Sequence, residues 1–221
     1  MIDLNNVTLI SVSGLSDTNS FNKILKAMKY SMSGLNYGDI KLLTANRSYS
    51  EQNDIKIIQI PELTYEEYNK FIVFELFKYV DTTHALIVQD DGFVINHKLW
   101  NPTFTEFDYI GAAFPLPKDN FSYRDRRGEI FRVGNGGFSL RSKKLLKLAT
   151  ELNLNWEPFH GYFNEDGWFC ANHRHTYEEN GCLFAPIEIA VHFSQEADIS
   201  EANGILPFGF HGKWSKFNPN F

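Results

Sequence analysis

The segment His84 to Ile95, HALIVQDDGFVI, constrains the fold more than any other part of the chain. Ala85 to Val88 is a short, apolar, β-prone run, the pattern of a strand buried in a parallel sheet. It stops abruptly at Gln89-Asp90-Asp91-Gly92, which puts carboxylates at the C-terminal tip of a strand. In open α/β sheets the ligand crevice lies outside those carboxyl ends, and hard divalent cations take oxygen ligands while keeping positions for substrate phosphates. A metal-nucleotide site is therefore one reading of this tip. An acidic turn, with Asp90 capping the next segment and Gly92 supplying an unusual φ, is the other.

The flanking sequence alternates between strand and helix patterns. Val7 to Val12 reads as a first strand opening into a turn at Ser13-Gly14-Leu15-Ser16. Asp17 or Thr18 caps a helix with Phe21, Ile24, Leu25 and Met28 on one face, and Gly34 ends it. Ile40 to Thr44 and Ile55 to Ile60 predict two more strands, the second stopped by Pro61. Thr64 and Glu67 fit a capping box for a helix carrying Val73, Leu76, Phe77 and Val80 on one side. This order favours an α/β fold with a Rossmann-like, mainly parallel twisted sheet flanked by helices. The 221 residues suffice for a single domain over 1–221, with no visible linker to a second.

Beyond Trp100 a short strand is expected from Tyr109 to Ala113, then a loop from Pro115 to Gly128 that lines or covers a site. Arg132 to Arg141, RVGNGGFSLR, holds three glycines before a strand-like FSL, so backbone must approach something closely there. Ser142 caps a helix with Leu145, Leu148, Ala149 and Leu152 on one face. Glu165 and Asp166 then stand among aromatics in Phe163 to Phe169. Burial beside rings raises a carboxylate's proton affinity, which prepares a general base or acid; acids at a helix start give the same pattern for electrostatic reasons alone. His211 and Lys213 sit between glycines and aromatics, where a histidine serves as a structural hydrogen-bonder or as a ligand.

Composition excludes several classes. At 43% hydrophobic and 15% aromatic the chain is not disordered, and it has rings enough for a pocket as well as a core. A formal charge of −6 gives no general attraction to nucleic acid, with Arg124, Arg126 and Arg127 the local exception. Cys170 and Cys182 make no disulfide framework or zinc spacing, and reduced thiols fit a cytoplasmic protein. The N-terminus lacks a basic signal-like region, and the most apolar run, Phe71 to Val80, is broken by Glu75 and Lys78. No membrane span is expected; peripheral attachment through a partner stays open.

Together, Gln89-Asp90-Asp91-Gly92-Phe93, Asp108-Tyr109-Ile110-Gly111-Ala112, Gly134-Asn135-Gly136-Gly137-Phe138-Ser139-Leu140-Arg141, Glu165-Asp166 and Pro207-Phe208-Gly209-Phe210-His211-Gly212 resemble the domain-of-unknown-function family 5672, placed among GT-A-fold glycosyltransferases. The resemblance runs from about Val7 to Trp214 and implies a single GT-A-like catalytic domain. By it, Asp91 is the best ligand for Mn2+ or Mg2+, in a motif where Gln89 replaces the usual first acid, and His211 is a second ligand. Asp166, beside Glu165, matches the base of inverting members. A UDP- or GDP-sugar donor would lie against Ser11, Ser13, Gln89, Asp90, Asp91, Gly136, Gly137 and Lys213. The glycan acceptor would meet the ring of Trp168 or Phe138. Two other classes remain in view. A sugar nucleotidyltransferase calls for a Gly-rich basic loop after the first strand, which Ser11 to Asp17 lacks. A non-catalytic nucleotide-sugar or carbohydrate-binding module of the same fold is favoured by Gln89.

Overall fold

The computed structural model describes residues 1–49, 54–158, 163–213 and 215–218; Trp214, where the family resemblance ends, lies outside them. β1 (Ile2–Ser13) begins earlier than the apolar run suggests, and from Val7 onward every side chain is buried, as befits a strand covered on both faces. Asp17 caps α1 (Thr18–Met32) by accepting the Ser20 N–H at 2.9 Å. Gly34, at a φ of 75°, turns the chain into β2 (Leu35–Thr44). β3 (Lys56–Gln59) follows, then α2 (Tyr65–Phe74), whose Thr64 and Glu67 close the capping box. Val73 is on the buried side of α2, while Leu76 and Phe77 belong to a separate 3-10 turn and Val80 is extended. Thr64→Ala should cost about 1 kcal/mol and lower the thermal midpoint, followed by circular dichroism, by about 2–4 °C.

β4 (His84–Ile87) runs parallel to β1, and β5 (Gly92–Val94) leaves the main sheet. β6 (Tyr109–Ile110) is shorter than expected. The Ala112 carbonyl turns away to accept the N–H groups of Gly134 and Asn135, which takes Gly111 to Ala113 out of the ladder and onto the glycine-rich run. β7 (Ser139–Ser142) leads into α3 (Lys143–Glu151), where Ser142 accepts the Leu145 N–H. Leu152 falls at the C-cap of α3 and is exposed, not on its buried face. The main sheet has the order β3-β2-β1-β4-β7-β6. Its first three pairings are parallel, and β7 is antiparallel to both β4 and β6.

Successive residues of a strand face opposite sides, so Leu86 joins the core under α1 while Ile87 joins the core under α2 and α3. The chain continues through α4 (Glu165–Gly167), a π-helical turn Trp168–Asn172, α5 (Arg174–Glu179) and α6 (Ile187–Phe193). β8 (Ser194–Gln195) and β9 (Gly209–His211) complete a small second sheet of order β5-β9-β8 at the end of β4. Among the described residues, no helix is long and apolar enough to cross a membrane. Both cysteines are free and buried. Arg126 and Arg127 are paired with Glu157 and Glu179, so this basic cluster is largely neutralised.

Candidate active site

The acidic tip is a tight reversal in which Gln89 and Gly92 exchange backbone hydrogen bonds, leaving Asp90 and Asp91 at its apex. The small sheet then carries chemistry to it. β5 pairs antiparallel with β9, placing Gly92 opposite His211, and the Gly212 N–H donates to the Asp91 carbonyl at 2.8 Å. β8 pairs parallel with β9 through Gln195 and Phe210, so the next residue, Glu196, falls beside His211. The result is a row of three side chains. His211 Nε2 lies 3.6 Å from Asp91 Oδ1, and its Nδ1 lies 3.2 Å from Glu196 Oε1. Burial disfavours the charged imidazole, but the carboxylates of Glu196 and Asp91, with Asp166 farther off, outweigh it and hold the His211 pKa above its usual value.

Two ligands bonded at about 2.1 Å to one divalent ion stand about 3.0–3.5 Å apart. The Asp91–His211 separation is close to that, and a carboxylate behind the other imidazole nitrogen is the usual support of a ligating histidine. Asp91 and His211 therefore fit a divalent cation. Among the described residues no three acidic, histidine or cysteine side chains group to hold a metal, so the remaining positions would fall to water and substrate oxygens, as is common for Mg2+.

The glycine-rich run is the hinge between this row and the acidic pair. Asn135 donates from Nδ2 to Glu196 at 2.9 Å and accepts the Gly137 N–H at 3.1 Å. A Cβ on Gly137 would stand 2.0 Å from His211 Nε2, and one on Gly136 would stand 2.0 Å from Glu165 Oε1. Side chains of the protein occupy the bare backbone here, in place of the sugar expected from the sequence.

Glu165 and Asp166 have opposite fates. Glu165 is buried against Arg141 in a two-pronged ion pair at 2.6 and 2.9 Å, and its own N–H donates to Asn69. It is part of the scaffold and not a free catalytic group. The Asp166 carboxylate accepts the Gly167 N–H at 2.7 Å and the Gly136 N–H at 3.3 Å. Burial, reinforced by the neighbouring Glu165 charge, pushes its pKa up to about 7 against the lowering effect of those two N–H donors and Arg141. It lines a cavity of about 410 Å³ with Phe114, Phe121, Tyr123, Phe131 and Cys170. Phe114 and Tyr123 stack at 4.3 Å, with Tyr123 held at a φ of 58°.

Several sequence expectations are corrected by burial. Phe138 is fully buried, stacked on Phe193 at 5.0 Å, and Trp168 packs edge-on to Phe74 and against His173; neither offers a face to a sugar. The rings at the cavity come instead from the loop after β6. Ser11 is buried in β1 and donates to the Val88 carbonyl at 2.7 Å, and Ser13 is buried at the strand end. Gln89 donates to Tyr68 Oη at 2.9 Å, so its amide is held by the fold. Asp90, Asp91 and Lys213 line a second cavity. Glu196 is the site residue that sequence reasoning missed.

The model of the family described as "Protein of unknown function (DUF5672)" matches residues 54–211, most of this site included. The chain belongs to that family. Among solved structures it is similar to a glycosyltransferase involved in the glycosylation of the major capsid of PBCV-1. Identity is 12% over 96% of this chain and 94% of that one, with a TM-score of 0.52. The fold of this DUF5672 member is thus glycosyltransferase-like, a mixed α/β architecture with a mostly parallel sheet. No curated protein matches it in sequence.

Proposed function

We propose that this DUF5672 member is a glycosyltransferase that moves a sugar from a nucleotide-sugar donor to a hydroxyl of a glycan acceptor, with inversion. The observation that carries this reading is Asp166, a carboxylate with its pKa at about 7 on the wall of an aromatic cavity. A base poised near neutrality is ionised enough to accept a proton and basic enough to want it. An acceptor sugar lying on the rings of Phe114, Tyr123 and Phe131 would present a hydroxyl to Asp166. Asp166 then takes the hydroxyl proton as the oxygen attacks the anomeric carbon and the nucleoside diphosphate departs. The two backbone N–H groups keep the carboxylate aimed.

On the donor side, Asp91 and His211 would hold Mn2+ or Mg2+, which when bound supplies positive charge to the leaving diphosphate. Glu196 fixes the ring of His211, and Asn135 fixes Glu196. Glu196→Gln should weaken Mn2+ affinity by about 10- to 100-fold, and Asp91→Asn by at least as much, read by isothermal titration with Mn2+. Unchanged affinity in both would remove the metal assignment.

The function is tested by incubating the protein with UDP- and GDP-sugars and a panel of glycans, reading nucleotide release and the anomeric configuration of the product by NMR. Retention of configuration, or no transfer with any donor, counts against it. Gln89, tied to Tyr68 where an acid would enlarge the metal site, favours one other reading, a nucleotide-sugar-binding module without turnover. Tight nucleotide binding with neither hydrolysis nor transfer would select that reading.

A further inference from the structure

The aromatic cavity has two walls of different origin. One is a hairpin arm from Ala113 to Val133, closed by bridges between Ala113 and Val133 and between Arg124 and Ile130, and it supplies Phe114, Phe121, Ser122, Tyr123 and Phe131. The other is the segment from Asn164 to Ala171, which supplies Asp166 and Cys170. The arm is held in one shape. Asp119 accepts the N–H groups of Phe121 and Ser122 at 2.9 and 2.6 Å, and the Tyr123 carbonyl accepts the Phe131 N–H at 2.7 Å. Tyr123 is thereby kept at a φ that a bulky residue rarely adopts, with its ring on Phe114.

The charges around this space are one-sided. Among the described residues no lysine, arginine or histidine lines the cavity, although the arm is rich in cations. Arg126, Arg127 and Arg132 are paired with Glu157, Glu179 and Glu201, and Arg124 donates to the Gly128 carbonyl at 3.0 Å in the arm's own turn. Arg174 stands behind Phe131, 4.5 Å from its ring centre, and is paired with Glu178. Arg141 is taken up by Glu165. The acids are not matched in this way. Burial, and then the charges of Glu196, Asp166 and Asp119, raise the phenol pKa of Tyr123, so three carboxylates are felt at a ring of the cavity wall. Glu196 and Asp91 share the one imidazole of His211, and the diphosphate of a bound donor would offset a divalent cation at Asp91.

We propose that this cavity takes an uncharged sugar as acceptor and rejects acidic ones, such as uronates and sugar phosphates. The inference rests on the transferase reading for the cavity's being the acceptor site, while the charge selectivity comes from its walls. An acid group entering here would leave water for apolar rings and find no counter-charge among the lining residues. It would also stand against Asp166, which is ionised when it acts as base, and like charges brought together suppress the wrong partner. A neutral sugar meets neither penalty. Its C–H groups lie against the rings, and its hydroxyls are left to polar lining groups such as Ser122, Asn164 and Asp166. Cys170 adds no charge, because burial raises the pKa of its thiol.

The test uses the whole chain and a panel of neutral glycans, each paired with its counterpart oxidised to a carboxylate at C6. Binding is read by saturation-transfer NMR titration without donor, and transfer as kcat/KM with UDP- and GDP-sugars. A like charge beside Asp166 corresponds to a preference of about 10- to 100-fold for the neutral member of a pair in both readouts. Asp166→Asn should remove most of that preference in binding, by tightening the acidic member and leaving the neutral one near its parent value. Asn164→Lys, which puts a cation on the rim, should narrow the preference in binding and in transfer. Asn164 is exposed and makes no side-chain cap hydrogen bond, so an unchanged melting curve accompanies that result. Glu129→Lys, on the arm but away from the lining, should leave the preference near that of the parent. Equal or tighter binding of the acidic members, a preference that survives Asp166→Asn, or a failure of every panel member to bind overturns the proposal. Selective, Asp166-dependent binding of neutral glycans with no transfer from any donor would instead keep the cavity's selectivity and remove the transferase reading.

Discussion

Asp166→Asn is expected to lose sugar transfer by about 10²- to 10⁴-fold, the usual contribution of a general base, while donor affinity stays near that of the parent. The amide keeps the shape and, through its one oxygen, the shorter Gly167 hydrogen bond, but its NH2 cannot accept the Gly136 N–H and the group cannot take the acceptor's proton. The parent's activity should rise with pH through about 7 as Asp166 ionises. Stability should move the other way. A carboxyl whose folded pKa stands above its unfolded value binds its proton more tightly when folded, so that stability is full below the unfolded pKa and is lost as pH rises through about 7. Asp166→Asn removes that loss and is expected to be more stable than the parent at pH 8 by about 1–3 kcal/mol, or about 2–10 °C in thermal midpoint. Transfer assays and melts of both proteins at pH 5.5 and 8 check the pair. Ordinary turnover by the variant would remove Asp166 from the chemistry, and no gain in stability at pH 8 would show that its carboxyl is not held near neutrality.

How much of this was legible in the sequence depended on how local the cause was. The helix starts at Thr64 and Ser142 were read correctly, and that at Asp17 to within one residue, Thr18 being the other candidate, because a cap is an interaction across three residues. The strand's end at the acidic tip was legible because two aspartates and a glycine stop an apolar run, but sequence left a metal site and an acidic turn both open, and the unusual φ expected of Gly92 is absent, since Gly92 is not among the glycines at positive φ. Glu196 was invisible, since it follows a two-residue strand and meets His211 only through pairing with β9. The glycine-rich run signalled a close approach, and the approach is real, but sequence could not say that His211 and Glu165 make it. Rings posed a different difficulty. Phe138 and Trp168 stand in motifs and are core, while Phe114, Phe121 and Tyr123 stand in or beside an unpatterned loop and line the cavity. Composition counts aromatics without sorting them, and only tertiary packing, of Phe138 on Phe193 and of Trp168 on Phe74, decides which remain open.

Arg141→Met should produce the largest loss of stability. The guanidinium is fully buried, pairs with both oxygens of Glu165, donates from Nε to Ser139 Oγ at 3.1 Å, and lies 4.8 Å from the Tyr109 ring centre and 5.2 Å from that of Phe169. Removing it leaves the Glu165 carboxylate buried without its counter-charge. Breaking one partner of such a pair costs about 3–5 kcal/mol, which at this size lowers the thermal midpoint by about 6–20 °C. The penalty belongs mostly to the orphaned carboxylate, so Arg141→Met/Glu165→Gln should recover a good part of it, since a neutral amide is cheaper to leave in that site. The site should feel the change before the fold fails. Glu165 Oε1 fills the space beside Gly136, and the Gly136 N–H is one of two donors that aim Asp166. The double variant is therefore expected to melt nearer the parent and still transfer sugar slowly, with kcat reduced more than KM is raised. If Arg141→Met alone costs less than about 1 kcal/mol by chemical denaturation, the buried pair is not what holds Glu165 in place, and the support assigned to Asp166 through Gly136 fails with it.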